Sequence, residues 1–408
     1  MSKGVGMDWS SSVIWWHVYP LGFVGAERTA IDSVEHRLPQ LNAWLDYVIE
    51  LGANGVLLAP LFAASSHGYD TLDYFHIDPR LGDDADFDAL VEGCKERGIR
   101  VCLDGVFNHV ARAHPIVEAA LAGGPDSEAG RWIRWVDGYP RYFEGHEALV
   151  ELDLTRPVVA DYIASVMIHW LDRGIDAWRL DAAYAQGADV WAPILAKLGA
   201  AHPEAWVFAE VIHGDYNEFV AASGVSSVTQ YELWHAIWDS LNDHNFFSLD
   251  WTLKRHREFC EHFRPQTFIG NHDVTRIATQ LTDPADVPLA TALLLLLPGI
   301  PSIYAGDEQG FTGEKEEHSY GDDAVRPPFP AEPSGLLPFG KATLATYQEL
   351  MGIRRRNPWL TDAVVTTSDV TNTSIAIHLD GDGQHLTLRL NISDVHVDGV
   401  PPHGWVVS

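Results

Sequence analysis

A chain of 408 residues, 46% hydrophobic and 21% charged, is long enough to bury one large core and a smaller second one, and nothing in it suggests disorder. Its 27 Lys and Arg against 57 Asp and Glu give a formal charge of -30, which opposes nucleic acid and anionic membranes as partners and suits a neutral or cationic ligand. Three cysteines, Cys94, Cys102 and Cys260, form an odd set without CxxC spacing, so they point away from a disulfide framework or zinc knuckle and toward a reducing, cytoplasmic compartment.

In chain order, the opening "MSKGVGMDWSSSVIWWHVYPLGF" has a short apolar stretch but no basic segment or small-residue cleavage site, so it reads as a strand rather than a secretion signal. Strand-like runs lie at 13–19, 55–60, 99–106, 175–181 and 205–211, then at 226–232, 266–271 and 300–305. Between them Leu41, Trp44, Leu45 and Val48 repeat at helical spacing, as do Phe87, Leu90, Val91 and Cys94. A third helix carries Val159, Ile163, Val166, Met167, Trp170 and Leu171 and is closed by Gly174 as its C-cap. "LATALLLLLPG" falls far short of the roughly 20 apolar residues of a membrane span and reads as a buried helix.

Strands alternating with helices mean parallel βαβ units, and eight of them predict an α/β fold of the (β/α)8 or TIM-barrel type, about 250 residues before insertions. A doubly wound open sheet fits less well, because no Gly-rich fingerprint follows the first strand, which ends in "VYPLGF". The barrel is expected over 1–109 and 157–357. Residues 110–156, with Trp132, Trp135, Tyr139, Tyr142 and Phe143, are too aromatic for a disordered loop and predict an inserted subdomain. From 358 to 408, short alternating segments around the turn "DGDG" predict a compact antiparallel β domain.

Within "GIDAWRLDAAY", Ala177, Arg179 and Asp181 share one face of a strand, while Trp178 and Leu180 share the other, so the charged pair must look into something polar. In such a barrel the chemistry sits where the strands end. The third strand ends in Asp104, Asn108 and His109, the fourth in Arg179 and Asp181, the fifth in Glu210 and the seventh in Asn271, His272 and Asp273. Any one of these could be a satisfied structural group. Together at one barrel end they would ring a polar pit, because unpaired buried carboxylates are costly and each would need its own partner.

Metal hydrolysis lacks an HxH or HExxH arrangement, and a serine or cysteine nucleophile lacks a GxSxG elbow. Paired carboxylates remain, and they suit glycoside cleavage, one acid protonating the leaving oxygen while the other attacks or stabilises the anomeric carbon. An adjacent Arg179 is expected to hold Asp181 ionised, since a positive neighbour lowers a carboxyl pKa.

"DGVFNH", "WRLDAAY", "FAEVIHG" and "FIGNHD" resemble, in order, the four signature blocks of the α-amylase family, glycoside hydrolase family 13; "GANGVLLAP", "SSHGYDTLDYFHIDPRLG" and "GIPSIYAGDEQG" resemble further segments of it. The resemblance covers roughly 13–330. It implies Asp181 as nucleophile, Glu210 as general acid/base and Asp273 as transition-state stabiliser, with Arg179 orienting Asp181. Tyr69, Asp104, His109 and His272 would line the pocket around the cleaved sugar, with Asp70 beside them, and Asp322 and Arg326 would grip the next sugar outward. Retention of configuration then calls for an Asp181–Glu210 carboxyl separation of about 5 to 5.5 Å.

The implied substrate is a maltooligosaccharide or related α-glucan, cleaved through a covalent glycosyl-enzyme with no cofactor. The resemblance also carries a structural Ca²⁺, for which Asn108 and Asp153 are the matching ligands, although the neighbours of Asp153 in "ELDLT" differ from the family pattern. "AAYA" after Asp181 lacks the Lys-His pair of starch-cleaving relatives, which turns the expectation away from long polymers. Transfer, isomerisation or phosphorolysis could use the same site. A non-catalytic binding barrel would have lost one of the three acids, and none is missing.

Overall fold

The computed structural model describes residues 9–318 and 320–408; residues 1–8, the start of the segment read for a secretion signal, and Ser319 lie outside. Eight parallel strands form one sheet: β1 (Trp15–Val18), β2 (Gly55–Leu58), β3 (Arg100–Gly105), β4 (Ala177–Leu180), β5 (Trp206–Ala209), β6 (Ser227–Val228), β7 (Gln266–Phe268) and β8 (Ile300–Tyr304). Their order is β6-β5-β4-β3-β2-β1-β8-β7, and a parallel bridge from Thr229 to Gln266 closes the ring. All eight expected strands are present, trimmed at the ends where the chain turns into loops.

The closed end of the barrel is filled by Val13, Trp15, Leu57, Cys102, Ala177, Trp206, Phe208 and Ile300. Trp15 stacks on Trp206 with ring centroids 5.9 Å apart, a dry plug that leaves no channel. One layer higher, parallel register sets Arg179 beside Asp104 on β3, so alternation along β4 puts Ala177 in the plug and Arg179 above it. Trp178 and Leu180 face outward into the core shared with the helices.

The helices that cover the barrel include α1 (Leu45–Leu51), α2 (Asp84–Glu96), α3 (Pro157–Asp172), α4 (Ala188–Ala201), α5 (Tyr216–Ser223), α6 (Tyr231–Asn242), α7 (Phe246–Cys260), α8 (Val287–Leu296) and α9 (Lys341–Arg356). Phe87, Leu90, Val91 and Cys94 are the buried stripe of α2, and Asp83 and Asp86 close a capping box at its start. The helix expected through Leu41–Val48 is instead two pieces, Pro39–Asn42 and α1. Trp44 N–H donates to Leu41 O at 3.0 Å, an i→i+3 tightening that keeps Leu41, Trp44 and Val48 buried while re-aiming the axis. Nearly every residue of α8 is buried, as its composition predicts, and no described helix is long and apolar enough to cross a membrane.

Between β3 and α3 the chain forms a short helix, Pro115–Gly123, and two small antiparallel strand pairs, one joining His109–Ala111 to Leu149–Glu151. After α9 comes a four-stranded antiparallel sheet, β9 (Val364–Ser368), β10 (Ser374–Gly381), β11 (Gln384–Asn391) and β12 (Gly404–Val407). The first three were expected; β12, four residues reading "GWVV", carries too little pattern to announce itself.

Candidate active site

Parallel strands all point their C-terminal ends at one rim, and there a cavity of about 750 Å³ opens. Its walls include Tyr69, His109, Asp181, Glu210, Asp273, Asp322 and Arg326. Asp181 follows β4 directly and Glu210 follows β5, each tied down by its own backbone: Asp181 N–H donates to Gly105 O at 3.1 Å and Glu210 N–H to Leu180 O at 2.9 Å.

One guanidinium joins three carboxylates. Arg179 Nη1 lies 2.6 Å from Asp104 Oδ2 and 3.1 Å from Asp181 Oδ1, and Arg179 Nη2 lies 2.7 Å from Glu210 Oε1. Burial pushes the Asp181 carboxyl well above the usual range; Arg179 opposes this, but Glu210, Asp104 and Asp273 add to it. Arg179 therefore acts on Asp181 in the expected direction, favouring its ionised form, while burial and the neighbouring acids act against it.

Glu210 is held by further donors. Tyr231 Oη donates to its Oε1 at 3.0 Å, and the Ala182 N–H donates to its Oε2 at 3.0 Å. Ala182 takes φ +45° to aim that N–H, a left-handed conformation costing a non-glycine residue on the order of 1–3 kcal/mol. Such strain beside a carboxylate is characteristic of a working site rather than of a loop left to relax.

Asp273 sits opposite. Its Oδ1 accepts from Arg326 Nη2 at 2.8 Å and its Oδ2 lies 2.8 Å from His272 Nε2. Although burial works the other way, His272 and Arg326 hold its carboxyl well below the usual range. Arg326 also reaches Asp322 at 3.0 Å and lies over the Tyr19 ring, 4.6 Å from its centroid. Tyr69 Oη bridges His272 Nε2 and Asp104 Oδ2, and His109 stacks on Phe143 at 4.6 Å. Burial lowers the His109 pKa to about 3, so this ring is neutral, with Nε2 bonded to Tyr69 O at 3.0 Å.

Three residues expected at the pocket stand behind it: His272, fully buried against Tyr69 and Asp273, and the carboxylates Asp104 and Asp70. Asp104 is 1% exposed and serves as the counter-ion beneath Arg179 and Tyr69. Asp70 turns into its own loop, accepting from Ser66 N at 3.0 Å and Ser66 Oγ at 2.6 Å.

Asn108 and Asp153 do not fit a calcium ion. Asn108 Oδ1 is taken by Gln186 Nε2 at 2.7 Å, while Asp153 is committed to Thr155 and to Arg156 Nε at 2.9 Å. A hard cation of this kind takes about six to eight oxygen ligands, and these two residues face different partners.

The residues not foreseen arrive on loops and on the first turn of α6. Tyr231 opens α6, Phe143 and Glu144 come from the segment between β3 and α3, and Trp234 and His67 complete the wall. Tyr19 follows β1 directly, where the same strand-end reasoning would have found it. Tyr184 Oη donates to Glu144 Oε1 at 3.0 Å across the mouth. On the opposite rim Arg28 pairs with Asp323 and lies over the Tyr320 ring at 4.6 Å.

Comparison with known proteins agrees with this geometry. The chain is 32% identical to a cyclomaltodextrinase of a Bacillus species over 66% of its own length and 51% of that protein's. It is 28% identical to an intracellular maltogenic amylase of Bacillus subtilis, over 76% and 57% respectively. The chain thus spans a little over half the length of these curated relatives. Among solved structures, a cyclic α-maltosyl-(1→6)-maltose hydrolase from Arthrobacter globiformis superposes with a TM-score of 0.85 over 98% of both chains at 24% identity, a likeness of fold. The description "Alpha amylase, catalytic domain" matches residues 40–363, and the chain belongs to the alpha-amylase family.

Proposed function

We propose that this protein is a retaining α-glycoside hydrolase that cleaves α-glucosidic bonds of short or cyclic maltooligosaccharides in the cytoplasm. The observation that carries this reading is the fork of Arg179, which ties Asp181 and Glu210 together at the floor of one sugar-sized cavity.

In this reading Asp181 attacks the anomeric carbon as Glu210 protonates the leaving oxygen, and Glu210, now a base, activates the water that resolves the glycosyl-enzyme. Asp273, held ionised by His272 and Arg326, stabilises the positive charge that develops on the sugar ring. Tyr69 and His109 surround the sugar being cleaved, with His272 behind them, and Asp322 with Arg326 holds its neighbour. The chemistry uses side chains alone.

Short substrates are favoured because both rims are tied: Glu144 to Tyr184 on one side, Arg28 to Asp323 on the other. The name cyclomaltodextrinase among its relatives supports compact α-glucans in particular. Product analysis with maltose, maltotetraose, a cyclodextrin, isomaltose, sucrose and trehalose tests the reading, each with and without phosphate or an added sugar acceptor. Water-dependent release of reducing sugar from α-1,4-linked substrates is expected. Products formed only with phosphate or a sugar acceptor would replace hydrolysis by phosphorolysis or transfer.

A further inference from the structure

Gln186 is 5% exposed and lies five residues beyond Asp181 on the loop leading to α4. Its Nε2 lies 2.7 Å from Asn108 Oδ1, 3.2 Å from Asn108 O and 3.2 Å from Leu152 O. An amide nitrogen carries two hydrogens, so three oxygens converge on it from two other segments, one leaving β3 and one returning to α3. The opposite amide orientation would set a fourth oxygen against those three. Its Oε1, facing away, is buried without a hydrogen-bond partner, a cost tolerated to keep the nitrogen where it is.

We propose that Gln186 is a built-in uncharged substitute for a cation, its amide occupying the centre of an oxygen cage that stitches the segment between β3 and α3 to the barrel. An oxygen cage of this kind otherwise attracts a hard cation. Here the positive end of an amide dipole takes that role and is tethered covalently, so no ion has to be recruited. The same Asn108 places its Nδ2 3.0 Å from His109 Nδ1, which links the stitch to the cavity wall.

The test is thermal melting of the whole protein in EDTA and in millimolar CaCl₂, for the wild type and two variants. The wild type is expected to melt at the same temperature in both. Gln186→Glu puts a carboxylate against three oxygens and is expected to melt several degrees lower in EDTA and to recover with Ca²⁺, having become a calcium site. Gln186→Leu is expected to melt several degrees lower in both buffers. A wild type that loses stability in EDTA and regains it with Ca²⁺, a Gln186→Glu variant indifferent to Ca²⁺, or a Gln186→Leu variant as stable as the wild type would overturn the proposal. Should Gln186→Glu not fold, the wild type and Gln186→Leu decide it.

Discussion

The Tyr231 hydroxyl donates to Glu210 Oε1 at 3.0 Å, so the first residue of α6, two strands further along the chain than Arg179, meets the same carboxylate oxygen that Arg179 Nη2 holds at 2.7 Å. Tyr231→Phe removes that donor and leaves the ring packed on Phe268. A hydrogen bond to a charged group contributes about 1.5–3 kcal/mol, so steady-state kinetics should show kcat lowered roughly 10- to 100-fold with KM little changed.

Arg179 is the single cation beneath three acids, and losing it strands all of them. Arg179→Met should destabilise the protein by about 3–5 kcal/mol in denaturant melts, the usual result of leaving buried charge uncompensated. Because Arg179 is the group that opposes the upward push on Asp181, any residual activity should have its acid limb moved to higher pH.

Buried histidines make the fold sensitive to acid. Burial lowers His256 to about 4 and His114 to about 4, with His109 at about 3. An unfolded histidine titrates near 6.5, so the stability each contributes is present above that pH and is lost as pH falls through the window from about 6.5 to 4. Glu308 and Asp307, raised by burial to about 7 and about 6, act in the opposite sense: their contribution is full below about 4 and is lost as pH rises through those values. His256→Gln isolates one histidine from this balance. Its stability relative to the wild type should improve by roughly 1.4 kcal/mol per pH unit on acidification from pH 6.5 toward 4, measured by melts at each pH.

The rim contact between Tyr184 and Glu144 bears on substrate length. Glu144 is exposed in a short turn with no buried residue, so removing its carboxylate from Tyr184 leaves buried structure undisturbed. Glu144→Ala should raise the ratio of kcat/KM for maltoheptaose over maltotriose several-fold, while activity on maltotriose changes little.

Arg179, Asp181, Glu210 and Asp273 were legible in the sequence because parallel strands force their ends to one rim, and alternation along β4 decides which face the charges take. Tyr231, Phe143, Glu144 and Gln186 were not, because each reaches the cavity or its frame from a connecting segment or a helix start whose path depends on what it packs against. Asn108 and Asp153 show the limit of matching residues one at a time. Both residue types are suited to calcium, yet Gln186 and Arg156 claim their oxygens. Burial of Asp181 is a further influence that the sequence did not display, since a neighbour's charge is visible in sequence and the loss of water is not.

Everything rests on Asp181 forming a bond to the sugar while Glu210 delivers the proton. The most direct measurement is intact-protein mass spectrometry during turnover of an activated, slowly hydrolysed fluoroglucosyl fluoride, followed by peptide mapping. A single sugar adduct on the peptide carrying Asp181, absent in Asp181→Asn, is the predicted result. Inverted product without any adduct, an adduct elsewhere, or undiminished turnover by Asp181→Asn would contradict it.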